Sequence, residues 1–343
     1  MPKLSVLIIV GCDKITGLCV VEEQQEEATT SSSCRSREEK EIEAAEEELL
    51  LLPPQLHVLW IISCPKLRRL RLQTLCSLRT LSISNCLASS SSSFPFPSSL
   101  QYLYLDGVET LPPLSNLSSL ATLFITNCGG DVRGLSSGLQ VLTHGCLQEL
   151  TVLQTTSFFS ICPDSILSSL SSLETDDVAG ALAASLCSLL SSSLTKLFLR
   201  FNKEMERFTH EQDEALQLLT SLQHLQFAYC EKLQSLPAGL HRLTSLKTLG
   251  IYDCRIHLLP EDGLPNSLQN LTIYGCSAIR TLPKDGLPNS LQELQIIDCP
   301  SIRALPKGGL PTSLKLLEVR DGSEDLTRQC RNLIGTIPIV KLH

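Results

Sequence analysis

The sequence predicts an α/β solenoid, in which short parallel strands stack on one side and the connecting segments return on the other. Three observations predict it. The pattern Leu-x-x-Leu-x-(Leu/Ile/Val/Phe)-x-x-Cys recurs along almost the whole chain of 343 residues. From Leu222 onward, its copies begin 24, 22, 23 and 23 residues apart. Aromatic residues make up only 4% of the chain, so a core shared by many coils must be mostly aliphatic.

The copies of the pattern predict a single solenoid of about thirteen repeats over residues 1–343. Their first leucines are Leu4, Leu56, Leu78, Leu100, Leu120, Leu147, Leu170, Leu194, Leu222, Leu246, Leu268, Leu291 and Leu314. The copy at Leu170 is weak, because Thr175 occupies an aliphatic position. A period of 20 to 28 residues with a Cys or Asn in the last position is the signature of the leucine-rich repeat.

Each copy supplies one short strand whose leucines face one side while the residues between them face the other. One copy cannot bury its leucines alone, but stacked copies form a parallel sheet over a shared core. The return segment adds Ile279 and Leu282 to this core from the opposite side in one representative coil. Pro283 then suits a loop, because proline has no N–H to donate.

Eight of the fifteen cysteines share the last position of the pattern, where the chain turns out of the strand. They are Cys12, Cys64, Cys86, Cys128, Cys230, Cys254, Cys276 and Cys299. Val108 and Asn202 take this position in two other copies. We expect these thiols to act as small buried apolar groups, because the chain has no Cys-x-x-Cys and its histidines do not cluster near cysteines.

Four stretches depart from the repeat. Residues 22–48 contain eleven Glu and three basic residues, so their local net charge is −8. This equals the net charge of the whole chain. We expect this acidic insert to be disordered or partly helical. Residues 89–97 are rich in Ser and Pro and predict a loop on the return side. Residues 156–193 are irregular, with a helix-compatible run at 178–186, and residues 323–343 form a C-terminal tail.

Composition and motifs argue against several classes of function. The net negative charge disfavours a nucleic-acid partner. No signal peptide or apolar run of about 18 residues is present, so a cytoplasmic or nuclear setting is expected, with reduced cysteines. No phosphate-binding Gly-rich loop, Gly-x-Ser-x-Gly or His-Glu-x-x-His occurs. The histidines are scattered, and the pair Asp176–Asp177 is interpreted as polar surface. We therefore expect no enzyme activity, no cofactor and no metal.

The sheet face opposite the core is the predicted binding surface, a concave face in an arc of this kind. Aromatic residues are rare in the chain, yet they collect at the strand positions that face away from the core. Trp, Tyr and Arg dominate protein–protein hot spots. An alternative is that these aromatic residues only satisfy the preference of strands for such side chains. The predicted protein-binding residues are Trp60, Tyr102, Tyr104, Phe124, Phe198, Arg200, Tyr252, Tyr274 and Arg320.

The Cys-bearing repeats with Leu-Pro endings, together with the C-terminal stretch 330–338 (CRNLIGTIP), resemble a known family. They resemble the leucine-rich-repeat region of plant nucleotide-binding (NB-ARC) disease-resistance proteins, the grass coiled-coil type most of all. The resemblance covers nearly the whole chain. It implies an effector-sensing and autoinhibitory role in defence, exercised by binding a pathogen effector, a guarded host protein or the receptor's own nucleotide-binding module.

The sequence departs from that family because it has no P-loop, so ATP binding is not assigned to it. Its first repeat begins at Leu4 with no polar cap, which suggests a fragment or a truncated relative. Another interpretation is a free-standing adaptor, for instance one that recognises substrates for ubiquitin ligation. An extracellular receptor is a third, which would need Leu-x-Gly-x-Ile-Pro in every coil. Only residues 334–338 partly match that pattern.

Overall fold

A computed structural model describes residues 4–20, 48–86, 96–108, 114, 117–128, 146–155, 158–161, 169–260, 262–283 and 286–342. The chain forms two compact units, Met1–Cys146 and Leu147–His343. Each unit is described by itself below. Residues 22–47 of the acidic insert and residues 89–95 of the Ser-rich loop lie outside the described residues, and Glu48, the last residue of the insert, begins a strand.

The first unit contains a parallel sheet with the strand order β1-β4-β6-β7-β8. A second, smaller parallel sheet has the order β3-β2-β5. The strands are β1 (Val6–Val10), β2 (Ile15–Val20), β3 (Glu48–Leu52), β4 (Val58–Ile62), β5 (Arg69–Leu70), β6 (Thr80–Ser84), β7 (Tyr102–Asp106) and β8 (Thr122–Thr126). The smaller sheet has no counterpart in the repeat pattern.

The second unit is one parallel sheet whose strands follow the order of the sequence, from β9 to β17. The strands are β9 (Glu149–Leu153), β10 (Ser172–Thr175), β11 (Lys196–Arg200), β12 (His224–Ala228), β13 (Thr248–Tyr252), β14 (Asn270–Tyr274), β15 (Glu293–Ile297), β16 (Leu316–Arg320) and β17 (Ile339–Leu342). The last strand lies in the C-terminal tail and extends the sheet beyond the strands that the repeats predict.

The core of each coil comes from the second and fourth residues of its strand. On β14 these are Leu271 and Ile273, which are both fully buried. Leu271 lies in register with Leu249 of β13 and Leu294 of β15, so equivalent leucines stack from coil to coil. Successive side chains of a strand point to opposite faces of the sheet, which places every second residue in the core. The predicted leucine-rich-repeat solenoid is thus confirmed.

The pattern cysteines lie where the strands end, and most of them are buried. The Cys276 thiol donates to the carbonyl of Tyr274 at 3.3 Å and lies 3.8 Å from the Ile251 carbonyl of the preceding coil. Asn202 takes the same position and donates its Nδ2 to the Asp176 carbonyl at 2.8 Å. Val108 is also buried there. A small side chain that tolerates burial is the common requirement.

A serine before the first leucine of several coils links that coil to the preceding one. The hydroxyl of Ser267 donates to the Leu246 carbonyl at 2.7 Å. Ser290 donates to the Leu268 carbonyl at 2.6 Å, and Ser313 repeats the contact one coil further along. Each bond satisfies a backbone acceptor that no sheet partner reaches.

Short helices occupy several return segments. They are α1 (Phe158–Ile161), α2 (Val178–Ala181), α3 (Ala184–Leu190), α4 (His210–Gln217), α5 (Glu324–Arg331) and one 3₁₀ helix (Ala238–Arg242). The helix-compatible run at 178–186 is thus confirmed as helical over most of its length. None of the helices in the described ranges is long and apolar enough to cross a membrane.

The weak copy of the pattern still forms a strand. Thr175, which stands in an aliphatic position, is completely buried at the end of β10. Its hydroxyl accepts a hydrogen bond from the Asp177 backbone N–H at 3.0 Å. The buried Thr175 hydroxyl therefore has a hydrogen-bond partner.

Candidate binding surface

The first, third and fifth residues of the strands face away from the core, and we call this side of the sheet the open face. On β4, for example, Leu59 and Ile61 are buried, whereas Trp60 between them is 42% exposed. Among the nine predicted binding residues, Tyr102 is first in its strand, Trp60, Tyr104, Phe124 and Phe198 are third, and Arg200, Tyr252, Tyr274 and Arg320 are fifth. All of them therefore lie on the open face. Four belong to the first unit and five to the second.

In the first unit, the aromatic residues lie on neighbouring strands. Tyr104 and Phe124 are paired in register on β7 and β8, and their ring centroids are 5.8 Å apart. Tyr102 lies on the same strand as Tyr104 and is exposed. Trp60 is in register with Ser82, which is in turn in register with Tyr104. A small serine thus separates the two large side chains in this row.

The exposed apolar area of the first unit continues onto β1. Val6, Ile8 and Val10 are each about half exposed, at 48%, 52% and 60%. Ile8 is in register with Trp60 on the adjacent strand. Exposed apolar residues that are contiguous in this way mark interaction surfaces more often than scattered ones do.

In the second unit, Arg200 is held by two contacts on the open face. Its guanidinium forms an ion pair with Glu174 of the preceding strand at 3.2 Å. The same group lies 5.4 Å from the centroid of the Phe198 ring, within cation–π range. The Arg200 Nε atom is buried and has no hydrogen-bond partner among the described residues. The side chain is therefore oriented before any partner binds.

Tyr252 and Tyr274 are paired in register on β13 and β14, with ring centroids 6.2 Å apart. Further along the sheet, Arg320 forms an ion pair with Glu318 on its own strand at 2.8 Å. Lys341 of β17 lies 4.0 Å from the same carboxylate. Glu318 is largely buried, so these two cations compensate a carboxylate that has lost most of its water.

An aromatic pair next to the open face was not predicted as part of the site. Phe201 and Tyr229 directly follow β11 and β12, and their rings stack at 5.0 Å with an angle of 4° between the planes. They are 40% and 46% exposed. The sequence carries a signal for them: they stand directly before the last position of the pattern, which in the other copies is preceded by Gly, Ser, Asn, Asp or Gln.

The acidic pair at the end of β10 has structural roles. Asp177 caps α2, because its Oδ1 accepts from the Gly180 N–H at 2.9 Å. Asp176 accepts from the Gln154 N–H at 2.9 Å. Within the described parts of the chain, no group of three or more His, Cys, Asp or Glu side chains is arranged to hold a metal ion.

Several buried thiols, among them Cys86, Cys128 and Cys187, are poor nucleophiles and metal ligands. Burial raises the pKa of Cys86 and Cys128 above the ordinary value, and it raises the pKa of Cys187 to about 12. A thiol with a raised pKa stays protonated at neutral pH, whereas the thiolate is the reactive and metal-binding form. Cys86 and Cys128 pack where their strands end, whereas Cys187 packs on the buried side of α3.

Two curated plant proteins are similar to part of this chain. The disease resistance protein RPS4B of Arabidopsis thaliana is 29% identical over 222 residues, which are 63% of this chain and 16% of that protein. The protein SUPPRESSOR OF npr1-1, CONSTITUTIVE 1 of the same plant is 30% identical over 213 residues, which are 60% of this chain and 12% of that protein. The chain thus spans less than a fifth of the length of these relatives. No protein-family model matches the chain.

Solved structures of leucine-rich-repeat proteins are also similar to the chain. The protein LIC12759 of Leptospira interrogans aligns with a TM-score of 0.50 and 20% identity, covering 85% of this chain and 81% of that one. The leucine-rich-repeat domain of the type III effector XopL aligns with a TM-score of 0.40 and 23% identity, covering 67% and 71%. The repeat pattern, the sheet and the first of these alignments agree: the chain has the leucine-rich-repeat fold.

Proposed function

We propose that this chain is a protein-recognition region of a plant intracellular immune receptor and acts in defence by binding proteins through its open face. The observation that carries the proposal is the location of the aromatic side chains. Seven of the fifteen aromatic residues, among them the single Trp and four of the five Tyr, lie on the sheet face that the core does not need. The similarity to plant disease resistance proteins supports the biological setting.

The proposed partner is a pathogen effector, a guarded host protein or the receptor's own nucleotide-binding module. The first would make the region a sensor, and the last would make it autoinhibitory. The proposal includes the nine open-face residues named above, a cytoplasmic or nuclear location and the grass coiled-coil subclass. In all of these roles the chain binds a protein surface and performs no chemistry, which fits aromatic anchors with oriented arginines.

The proposal is tested by co-purification from plant tissue with matched variants. One variant carries Tyr102→Ala and Phe124→Ala, and another carries Tyr252→Ala and Tyr274→Ala. The control carries Leu218→Ala and Leu258→Ala, which remove exposed apolar side chains from the return segments. We expect a specific partner to be depleted at least tenfold from one open-face variant and retained by the control. Equal recovery from all variants would contradict the proposed role of the open face.

The receptor and the free-standing adaptor are separated by the mass of the native protein. An antibody against the acidic insert would detect the protein in its own tissue. A band far above 37.6 kDa is expected for a region of a larger receptor. A band at 37.6 kDa would favour the adaptor, and the autoinhibitory role would then be wrong.

A further inference from the structure

The residue that directly follows a strand adopts an unusual backbone conformation in coil after coil. In the second unit, φ lies between 47° and 64° at this position in Gln154, Phe201, Tyr229, Asp253, Gly275, Asp298 and Asp321. We call these residues the exit row. From Phe201 to Asp298 their N–H groups still continue the sheet: that of Phe201 donates to the Ala228 carbonyl at 2.9 Å. The left-handed conformation turns the chain out of the strand while this last ladder bond is kept.

Glycine, asparagine and aspartate suit this conformation, whereas a bulky aromatic residue in it is an outlier. Phe201 and Tyr229 are nevertheless both aromatic and consecutive in the exit row. Their rings stack on each other in solvent and do not fill the core. Residues held in sparsely populated backbone regions cluster at binding and active sites. Packing in the core therefore does not explain why these two positions are aromatic.

The exit row continues with carboxylates. Asp253, Asp298 and Asp321 follow the aromatic pair, and Gly275 stands between the first two. A Cβ atom at Gly275 would collide with Oδ1 of Asp253, so the Asp253 carboxylate lies over the glycine. Burial and the negative charge of Asp298 raise the pKa of Asp253 above its ordinary value. In the described residues, none of the three carboxylates forms an ion pair.

The cations that adjoin the exit row on the open face are already neutralised. Arg200, next to Phe201, is paired with Glu174. Arg320, next to Asp321, is paired with Glu318. The exit row therefore combines exposed π faces with negative charge that has no countercharge of its own. An acidic partner would be repelled here, and a purely apolar one would have to desolvate the carboxylates without compensation.

We propose that the exit row from Phe201 to Asp298, with the adjacent rings of Tyr252 and Tyr274, binds an arginine-bearing basic segment of a partner protein. The guanidinium groups lie over the aromatic faces and donate hydrogen bonds to the carboxylates. The chain contains an intramolecular example of this contact, since Arg200 lies over Phe198 and pairs with Glu174. This inference rests on the proposed function and adds the chemistry of the partner.

The test uses a fluorescein-labelled peptide with four Arg-Ala repeats and the full chain, and it measures fluorescence anisotropy at low and physiological salt. The matched peptide carries citrulline in place of arginine, which keeps the shape and removes the charge. We expect the arginine peptide to bind at least tenfold more tightly than the citrulline peptide, and its affinity to fall as salt rises. Absence of binding, or affinities within twofold of each other, would overturn the inference.

Two sets of variants locate the peptide. Phe201→Gly with Tyr229→Gly removes both rings and suits the backbone, since Gly275 occupies the same row, and we expect about fivefold weaker binding. Asp253→Asn with Asp298→Asn keeps the rings and removes charge, and we expect about tenfold weaker binding with a smaller salt dependence. Unchanged affinity in either folded variant would overturn the inference.

The outcomes separate this inference from the function on which it rests. If the Leu218→Ala/Leu258→Ala control binds the peptide like the unmodified chain, the effects belong to the exit row. If the open-face variants lose a plant partner while the exit-row variants do not change peptide binding, this inference is wrong and the proposed function stands. If the peptide results hold but no plant partner depends on the open face, the proposed function is wrong.

Discussion

Replacing Leu271 with alanine tests how strongly the stacked leucines hold neighbouring coils together. Leu271 is fully buried, and so are Leu249 and Leu294, its counterparts in the adjacent strands. Truncating a buried leucine costs about 2–5 kcal/mol, and the cost is higher where the site cannot collapse. The two neighbouring leucines are fixed by the register of the sheet. We therefore expect a loss of about 3–4 kcal/mol in the free energy of unfolding.

The loss should be local as well as large. In solenoid proteins each repeat contacts only its neighbours, so weakening one coil uncouples the coils next to it. We expect hydrogen exchange to accelerate most in β13, β14 and β15, while β9 and β10 stay protected. Urea unfolding followed by circular dichroism would give the total loss, and exchange measured by mass spectrometry would give its location.

Tyr274 on the same strand provides the matched control. It faces the other side of the sheet and is 41% exposed. Tyr274→Ala removes more atoms than Leu271→Ala, yet it should cost about 1 kcal/mol or less, mainly from its contact with the Tyr252 ring. Equal losses for the two variants, or a loss below about 1 kcal/mol for Leu271→Ala, would refute the assignment of core and open face.

Three further predictions concern other contacts of the second unit. Ser290→Ala removes the bond to the preceding coil and should cost about 1 kcal/mol in urea unfolding, whereas Ser277→Ala at an exposed position should cost nothing measurable. Gly275→Ala combines a positive φ with a clash against Asp253 and should lower the unfolding temperature. Adding Asp253→Gly, which removes the carboxylate and suits the positive φ at that position, should restore part of it; no restoration would contradict the clash. Burial and two neighbouring lysines lower the pKa of His224 below its ordinary 6.5, so the unfolded state binds more protons as pH falls. Stability should therefore decrease as pH falls below about 6.5, and His224→Gln should flatten that slope in thermal unfolding.

The strands and the core could be predicted from the sequence because they depend on one simple periodicity. Leu59 and Ile61 are buried around an exposed Trp60 for the same reason that any alternating strand buries every second residue. The position of the cysteines followed from the same pattern. Neither prediction needed knowledge of a distant contact.

The exit row and β17 could not be predicted in the same way. The exit row is defined by a backbone angle, and its residues, among them Gln154, Phe201 and Asp253, share no side-chain chemistry. Strand β17 pairs in register with β16, Ile339 opposite Leu316, although it belongs to no copy of the pattern. A backbone angle defines the first feature and strand pairing defines the second, and a single sequence displays neither of them.

The bonds that join one coil to the next recur at equivalent places, and this has a consequence at the level of the gene. The coils at 268–290 and 291–313 carry the same serine bond at their junctions, the same register and the same strand exit. Unequal crossing-over that duplicated or deleted a block of this length would leave every junction chemically matched. Each added block would widen the sheet by about 4.8 Å, so recombination could lengthen or shorten the open face without a new folding problem.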